Sequence, residues 1–154
     1  MERKNRFLSY AEPLIGRGEI SEILDTLASG WLSRGPKCTE FEKRFAQLVG
    51  SRYAVGVNSC TAAMFLALKA MGIGPGDEVI TTPLTFVATA NVIIHTGAQP
   101  VFADINPKTF NLDPAEIEKK ISPRTRAVLP VHYAGRSCDM DRIMDIANAN
   151  GLKV

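Results

Sequence analysis

Residues 78–103, EVITTPLTFVATANVIIHTGAQPVFA, carry the pattern that decides the fold. A short apolar, β-branched run at 78–82 is followed by a segment of helical period at 86–95 and by a second short run at 100–103. Alternation of a strand with a longer helix is typical of parallel sheets, because a crossover helix must connect each strand to the next. The pattern predicts an α/β fold with helices on both faces of the sheet.

The same alternation continues on both sides of this segment. It predicts further strands at 53–57 and 126–131, and further helices at 61–71, 114–121 and 140–150. Asp113, which precedes Pro114, and Asp139 are the predicted N-caps of the last two helices. Before residue 50 the sequence changes, because two helices, at 18–27 and 39–49, are predicted there without a strand between them. We therefore predict two parts, residues 1–50 and residues 51–154.

Composition limits the class of protein. The chain has 154 residues, 45% of them hydrophobic and 22% charged, with a formal net charge of +2. Without a strongly basic face, binding to nucleic acid or to a membrane surface is not expected. The charged segment 1–6 is not followed by an apolar stretch, so no secretory signal is expected. Three widely spaced cysteines match neither a disulfide framework nor a zinc site, and a cytoplasmic location is predicted.

Ligands of open α/β sheets bind beyond the carboxyl ends of the strands. The first candidate there is the segment 58–63, NSCTAA, which opens a predicted helix after a predicted strand. Free amides at a helix N-terminus attract a phosphate, and the hydroxyls of Ser59 and Thr61 can add donors. Plain N-capping by Asn58 or Ser59 is the alternative explanation, and it is the more frequent one for a lone motif of this kind.

Three further segments follow predicted strands. Phe86 can stack on a planar ring or simply cover the end of the sheet. Asp104 can hold a polar ligand group, although turn formation through Asn106 explains it as well. His132 can transfer a proton or be a loop histidine bonded to the backbone. His95, at a helix end, is expected to be structural.

Several other classes lack their signature. The sequence has no glycine-rich dinucleotide fingerprint after the first predicted strand and no phosphate-loop lysine pattern. No catalytic triad and no metal-ligand constellation is visible, so no metal is predicted.

Three longer runs together resemble one family. They are SGWLSRGPKCTEFEKRFAQLVG, AVGVNSCTAAMFLALKAMGIGPGDEVITTPLTFVATANVIIHTGAQPVFADI and RAVLPVHYAGRSCDM. In order and spacing they resemble the DegT/DnrJ/EryC1/StrS family of pyridoxal-phosphate (PLP) enzymes. The resemblance covers about residues 8–154 and implies the three-layer α/β/α large domain of the aspartate-aminotransferase fold (fold type I).

The resemblance also implies roles for individual residues. The cofactor-binding residues would be Ser59, Cys60, Thr61 and Ala62, which hold the phosphate, and Phe86, which stacks on the pyridine ring. The substrate candidates would be Ser33 and Arg34, in a loop near the sugar, and His132. Two departures stand out: Cys60 replaces a glycine found in many relatives, and Arg34 replaces what is often a small hydroxyl residue.

The implied activity is transfer of an amino group from glutamate to a nucleotide-linked keto sugar, by a cytoplasmic homodimer that serves cell-surface polysaccharide or antibiotic-sugar biosynthesis. In the family, the aspartate that pairs with the pyridine nitrogen and the Schiff-base lysine would follow Val154. Residues 151–154 read as a helix stop and the start of another strand, so we expect a truncated large domain without a catalytic residue. Two alternatives remain: a PLP-dependent sugar dehydratase of the same family, and a non-catalytic fragment with residual phosphate binding or subunit association.

Overall fold

The computed structural model describes residues 12–154, which divide into two compact units: the described residues up to Gly56 belong to the first, and Val57–Val154 form the second. The charged segment 1–6, on which the expectation about a secretory signal rests, lies outside the described residues. The first unit contains α1 (Arg17–Ser29) and α2 (Pro36–Val49). The second contains α3 (Cys60–Ala70), β1 (Glu78–Thr81), α4 (Ala88–Thr96), β2 (Gln99–Phe102), α5 (Pro114–Glu118), β3 (Thr125–Leu129), a 3₁₀ turn (Tyr133–Gly135) and α6 (Met140–Ala149).

Local signals define the two helices of the first unit. The N–H of Gly16 donates to the Glu19 carboxylate at 2.7 Å, which satisfies a backbone donor at the start of α1. Pro36 begins α2, where its missing N–H costs nothing. Among the described residues of this unit only Ala46 is buried. The two helices of this unit are therefore stabilised by their caps and by ion pairs within the chain more than by a hydrophobic core.

A parallel sheet organises the second unit. Its strand order is β2-β1-β3, with Ile80 of β1 opposite Val101 of β2 and Val128 of β3. Beyond β3, Lys153 forms a parallel bridge with Ala127. The predicted strand-like character of residues 151–154 is thus present as a single bridge.

The helices cover both faces of this sheet. Ile80 and Val128 face one side, where they pack with residues of α5 and α6 such as Ile117 and Ile143. On the other side, Val79 packs with residues of α3 and α4, among them Leu68, Val92 and Ile93. Alternate residues of one strand thus enter opposite cores, which is the period-2 consequence of the pleat. The predicted three-layer α/β/α architecture is confirmed.

One predicted strand is wrong. Residues 53–57 form no strand, and the backbone groups in this stretch bond to side chains instead of a neighbouring strand. The carbonyl of Tyr53 accepts from the Ser51 hydroxyl, and the N–H of Gly56 donates to Glu42. A β-branched run forms a strand only when a partner pairs with it, and none of the described residues does so here. The other predicted strands and helices are confirmed, with ends that differ by at most three residues.

No helix within residues 12–154 is long and apolar enough to cross a membrane.

Candidate functional site

The connection of α3 to β1 places the start of α3 at the carboxyl edge of the sheet. The turn 71–77 leads from the end of α3 directly into the first residue of β1. The end of α4 lies at the same side, because a Cβ on Gly97 would lie 2.8 Å from Pro75 Cγ. Helices α3 and α4 therefore both begin at the opposite side, where β1, β2 and β3 end. This carboxyl edge therefore carries segment 58–62, which opens α3. It also carries segments 82–87, 103–106 and 130–137, which come directly after β1, β2 and β3.

The N-terminus of α3 offers backbone donors. Ser59 is the N-cap, and its hydroxyl accepts from the N–H of Ala62 at 3.1 Å. Within the described part of the chain, no group accepts a hydrogen bond from the N–H of Cys60 or of Thr61. Both residues are exposed. The capping explanation of this segment is therefore correct for Ser59, while two amides and the helix dipole are left for an anion.

Threonine side chains fix the loop that carries Phe86. The Thr81 hydroxyl donates to the Leu129 carbonyl at 2.8 Å, and the Thr82 hydroxyl accepts from the N–H of Leu84 at 3.1 Å. The hydroxyls of Thr85 and Thr89 lie 2.8 Å apart across the start of α4. The Phe86 side chain is 78% exposed, so it does not serve as a cover for the end of the sheet. A fixed loop thus holds an open aromatic ring at the edge.

His132 is bonded to the backbone of its own loop. Its Nδ1 accepts from the N–H of Cys138 at 3.1 Å, which agrees with the backbone-bonded alternative. The Cys138 thiol donates to the Val131 carbonyl, and burial raises the pKa of this thiol. The thiol is therefore a packing and bonding group of the loop, not a nucleophile.

The Asp104 segment forms a turn. The Asp104 carboxylate accepts from the N–H of Ile105 at 2.7 Å, and the Asn106 side chain accepts from the N–H of Lys108 at 3.0 Å. Both acceptors bond backbone donors of the same segment. The turn explanation therefore accounts for Asp104 without a ligand.

The two substrate candidates of the first unit have different surroundings. Ser33 lines a cavity of about 420 Å³ together with Trp31 and Pro36. The guanidinium of Arg34 pairs with the Glu42 carboxylate at 2.8 Å, and Glu42 is largely buried. Sequence reasoning missed Glu42, since an acidic residue on an amphipathic helix gives no sign of its partner eight positions away.

These residues define an α/β protein in which a helix N-terminus with two amides left for an anion and an exposed aromatic ring lie at the carboxyl edge of a parallel sheet. A family model described as the DegT/DnrJ/EryC1/StrS aminotransferase family matches residues 13–154. The chain belongs to this family.

Individual relatives agree with the assignment. The chain is 62% identical over its whole length to the spore coat polysaccharide biosynthesis protein SpsC of Bacillus subtilis, of which it covers 40%. NtdA of Bacillus subtilis, solved with bound cofactor PMP, is 40% identical with a TM-score of 0.86, over 99% of this chain and 37% of that one. Spr1654 of Streptococcus pneumoniae in its PLP form is 38% identical with a TM-score of 0.87, over 96% and 38% of the two chains.

The chain thus spans about two fifths of the length of these relatives. Because structural relatives carry the cofactor in its PLP and PMP forms, the predictions of fold type I and of pyridoxal phosphate as cofactor are confirmed at the level of the family. The donor set at the edge fits this group, since two free amides suit a phosphate and an open aromatic ring suits a pyridine.

Proposed function

We propose that this chain supplies the cofactor-binding edge of an enzyme that transfers an amino group from glutamate to a nucleotide-linked keto sugar. One observation carries the proposal: in a member of an aminotransferase family, two amides without a partner among residues 12–154 and an open aromatic ring lie at one sheet edge. The name of SpsC, a spore coat polysaccharide biosynthesis protein, supports a role in cell-surface polysaccharide synthesis over antibiotic-sugar synthesis.

Each cofactor-binding residue has a specific part in the proposal. The amides of Cys60 and Thr61 bind the phosphate, and the hydroxyls of Ser59 and Thr61 add donors. The small side chain of Ala62 leaves room for the phosphate beside the helix N-terminus. The ring of Phe86 packs against the pyridine. When bound, the cofactor supplies an electron-withdrawing ring and a carbon that carries the amino group between the two substrates.

Three further residues are proposed to contact the nucleotide sugar and not the cofactor. The side chain of Arg34 is 70% exposed despite its pairing with Glu42, so its guanidinium remains accessible to a phosphate of the nucleotide. Ser33 offers a hydroxyl at the wall of the Trp31 cavity, where a sugar or base has an aromatic surface to contact. His132 offers a ring nitrogen at the carboxyl edge of the second unit.

We further propose that residues 1–154 alone bind the cofactor but do not catalyse transfer. Neither the segment 58–62 nor the segment 82–87 contains a lysine, and amino transfer needs an amine at the cofactor. Exposed apolar side chains, such as Leu66 of α3, support association into a homodimer. The proposed location of this homodimer is the cytoplasm.

Binding of pyridoxamine phosphate tests the site itself, because this probe has no aldehyde to react with surface lysines. We expect measurable binding by titration calorimetry, weakened about 5- to 10-fold by Phe86→Ala through loss of stacking. Tyr53→Ala, which removes an exposed aromatic of the first unit, is the matched control and leaves the affinity unchanged. Equal affinity for pyridoxamine without its phosphate would contradict the assignment of the α3 amides.

The reaction is tested with the protein expressed from the complete coding sequence. Nitrogen-15 from labelled glutamate should appear in the product of a keto sugar nucleotide. Loss of a sugar hydroxyl without nitrogen transfer would favour the dehydratase alternative.

A further inference from the structure

The loop that follows β3 has a strained shape at the carboxyl edge. Ala134 has φ 51° and Gly135 has φ 79°, so the backbone is left-handed at two consecutive positions. For alanine this conformation is unfavourable, because its Cβ comes too close to the following carbonyl oxygen. Strained backbone persists only where surrounding contacts over-determine it, so the loop must be held from outside.

The side chain of Asn111 supplies those contacts. Asn111 is 4% exposed, and its Nδ2 donates to the carbonyls of Arg136 at 3.1 Å and Ser137 at 2.9 Å. Its Oδ1 accepts from the N–H of Tyr133 at 2.9 Å. One buried carboxamide thus bonds both sides of the left-handed turn, across 22–26 positions of sequence.

The same loop decides which nitrogen of His132 carries the proton. Because Nδ1 accepts from the N–H of Cys138, the neutral ring has its proton on Nε2. None of the described side chains or carbonyls accepts a hydrogen bond from this Nε2–H. His132 is exposed, so the ring is available to a ligand as a donor.

We infer that Asn111 is a positioning residue, which holds the loop so that His132 presents Nε2–H as a hydrogen-bond donor to an oxygen of the bound ligand. In this role the neutral ring donates a hydrogen bond, which differs from the proton transfer that the sequence left open as one of two alternatives for His132. The inference rests on the proposed function only for the identity of the ligand. The loop geometry and the tautomer stand without it.

The tautomer is measured directly by nitrogen-15 NMR of the imidazole. The sequence has two histidines, so His95→Gln leaves His132 as the sole ring signal. We expect the proton on Nε2, and addition of pyridoxamine phosphate should move the Nε2 resonance. A proton on Nδ1 would overturn the inference. An Nε2 resonance that does not move on addition of pyridoxamine phosphate would also overturn it, once weaker binding to the Phe86→Ala variant has shown that the probe occupies the site. Absence of any binding would count against the proposed function, and the tautomer and the exchange rates below would then decide the inference alone.

Asn111→Asp tests the positioning role, since it keeps the volume and one acceptor but removes both N–H donors. The amides of Tyr133 and Cys138 should exchange about ten-fold faster or more, and the ring signals should move toward those of free imidazole. Asn91→Asp, at an exposed position of α4, is the matched control and should change neither. Unchanged exchange at both amides would overturn the inference.

A second pair of variants decides the matter if Asn111→Asp does not fold. In His132→Asn the Oδ1 replaces Nδ1 as acceptor, so the Cys138 amide should stay protected while the response to pyridoxamine phosphate is lost. In His132→Ala the acceptor is missing and the Cys138 amide should exchange faster. Equal exchange in these two variants would show that His132 does not bond the loop, contrary to the inference.

Discussion

The same helical pattern meets opposite surroundings in the two units. Ile20, Leu24 and Leu27 of α1 follow one another at helical spacing and are 51–60% exposed. Ile143 and Ile146 of α6 have comparable spacing and are 0% and 7% exposed. An apolar stripe of this period predicts a helix in both cases. It says nothing about which surface covers the stripe.

The stability of each unit therefore has a different origin. The second unit has two apolar clusters, one on each face of the sheet, and burial of each large side chain contributes about 1.5–3 kcal/mol. The first unit has caps and exposed ion pairs, such as Lys37 with Glu22 and Asp25. Exposed pairs contribute little, because water and salt screen them.

The largest expected effect comes from the core of α6. Ile143→Ala should lower the free energy of unfolding by about 2–5 kcal/mol, since it leaves a cavity against the sheet. Leu24→Ala on the exposed stripe of α1 should change it by less than about 0.5 kcal/mol. Urea denaturation followed by circular dichroism measures both, and Trp31 fluorescence follows the first unit separately. A comparable loss in Leu24→Ala would mean that another copy of the chain covers α1.

A smaller contrast is expected at two glycines that end helices. Gly97 has φ 91° and lies against Pro75, whereas Gly30 has φ 73° and a Cβ added there would meet no atom within 4 Å. Gly97→Ala should destabilise by about 2–3 kcal/mol, because a steric clash adds to the cost of left-handed backbone. Gly30→Ala should show only the backbone cost, about 1 kcal/mol. Equal losses in thermal or urea denaturation would show that Pro75 moves aside freely.

The smallest effect concerns acidic residues. A hydrogen bond from the Ser122 hydroxyl, together with the Arg124 guanidinium, lowers the pKa of the buried Glu78 carboxyl. Its contribution is therefore complete above the ordinary glutamate pKa of about 4.3 and is lost as the pH falls below that value. Glu78→Gln should cost about 1 kcal/mol at pH 7 and reduce the acid dependence of unfolding.

The matched variant for this test lies in the first unit. Glu40→Gln removes an exposed ion pair with Arg44. The midpoint of urea unfolding of this variant should equal that of the unsubstituted protein, both at pH 7 and at pH 4. If the two variants had the same acid dependence, the distinction between buried and exposed carboxylates would fail.

Much of the fold followed from the sequence because its signals are local. Helix period, the caps Asp113 and Asp139, and the alternation that gives a parallel sheet all depend on residues a few positions apart. The family resemblance likewise identified the segment that opens α3 and the aromatic Phe86, whose roles remain proposals.

Other features were decided only by the tertiary structure. Residues 53–57 have the composition of a strand, but a strand exists only where another strand pairs with it. Asn111 was not singled out in the sequence, and its bonds to a loop 22–26 positions away exist only because β2 and β3 end at the same sheet edge. The tautomer of His132 has the same cause, since a neighbouring amide in the folded loop occupies Nδ1. Sequence specifies which groups a chain carries, whereas their hydrogen-bond partners are fixed when distant segments come together.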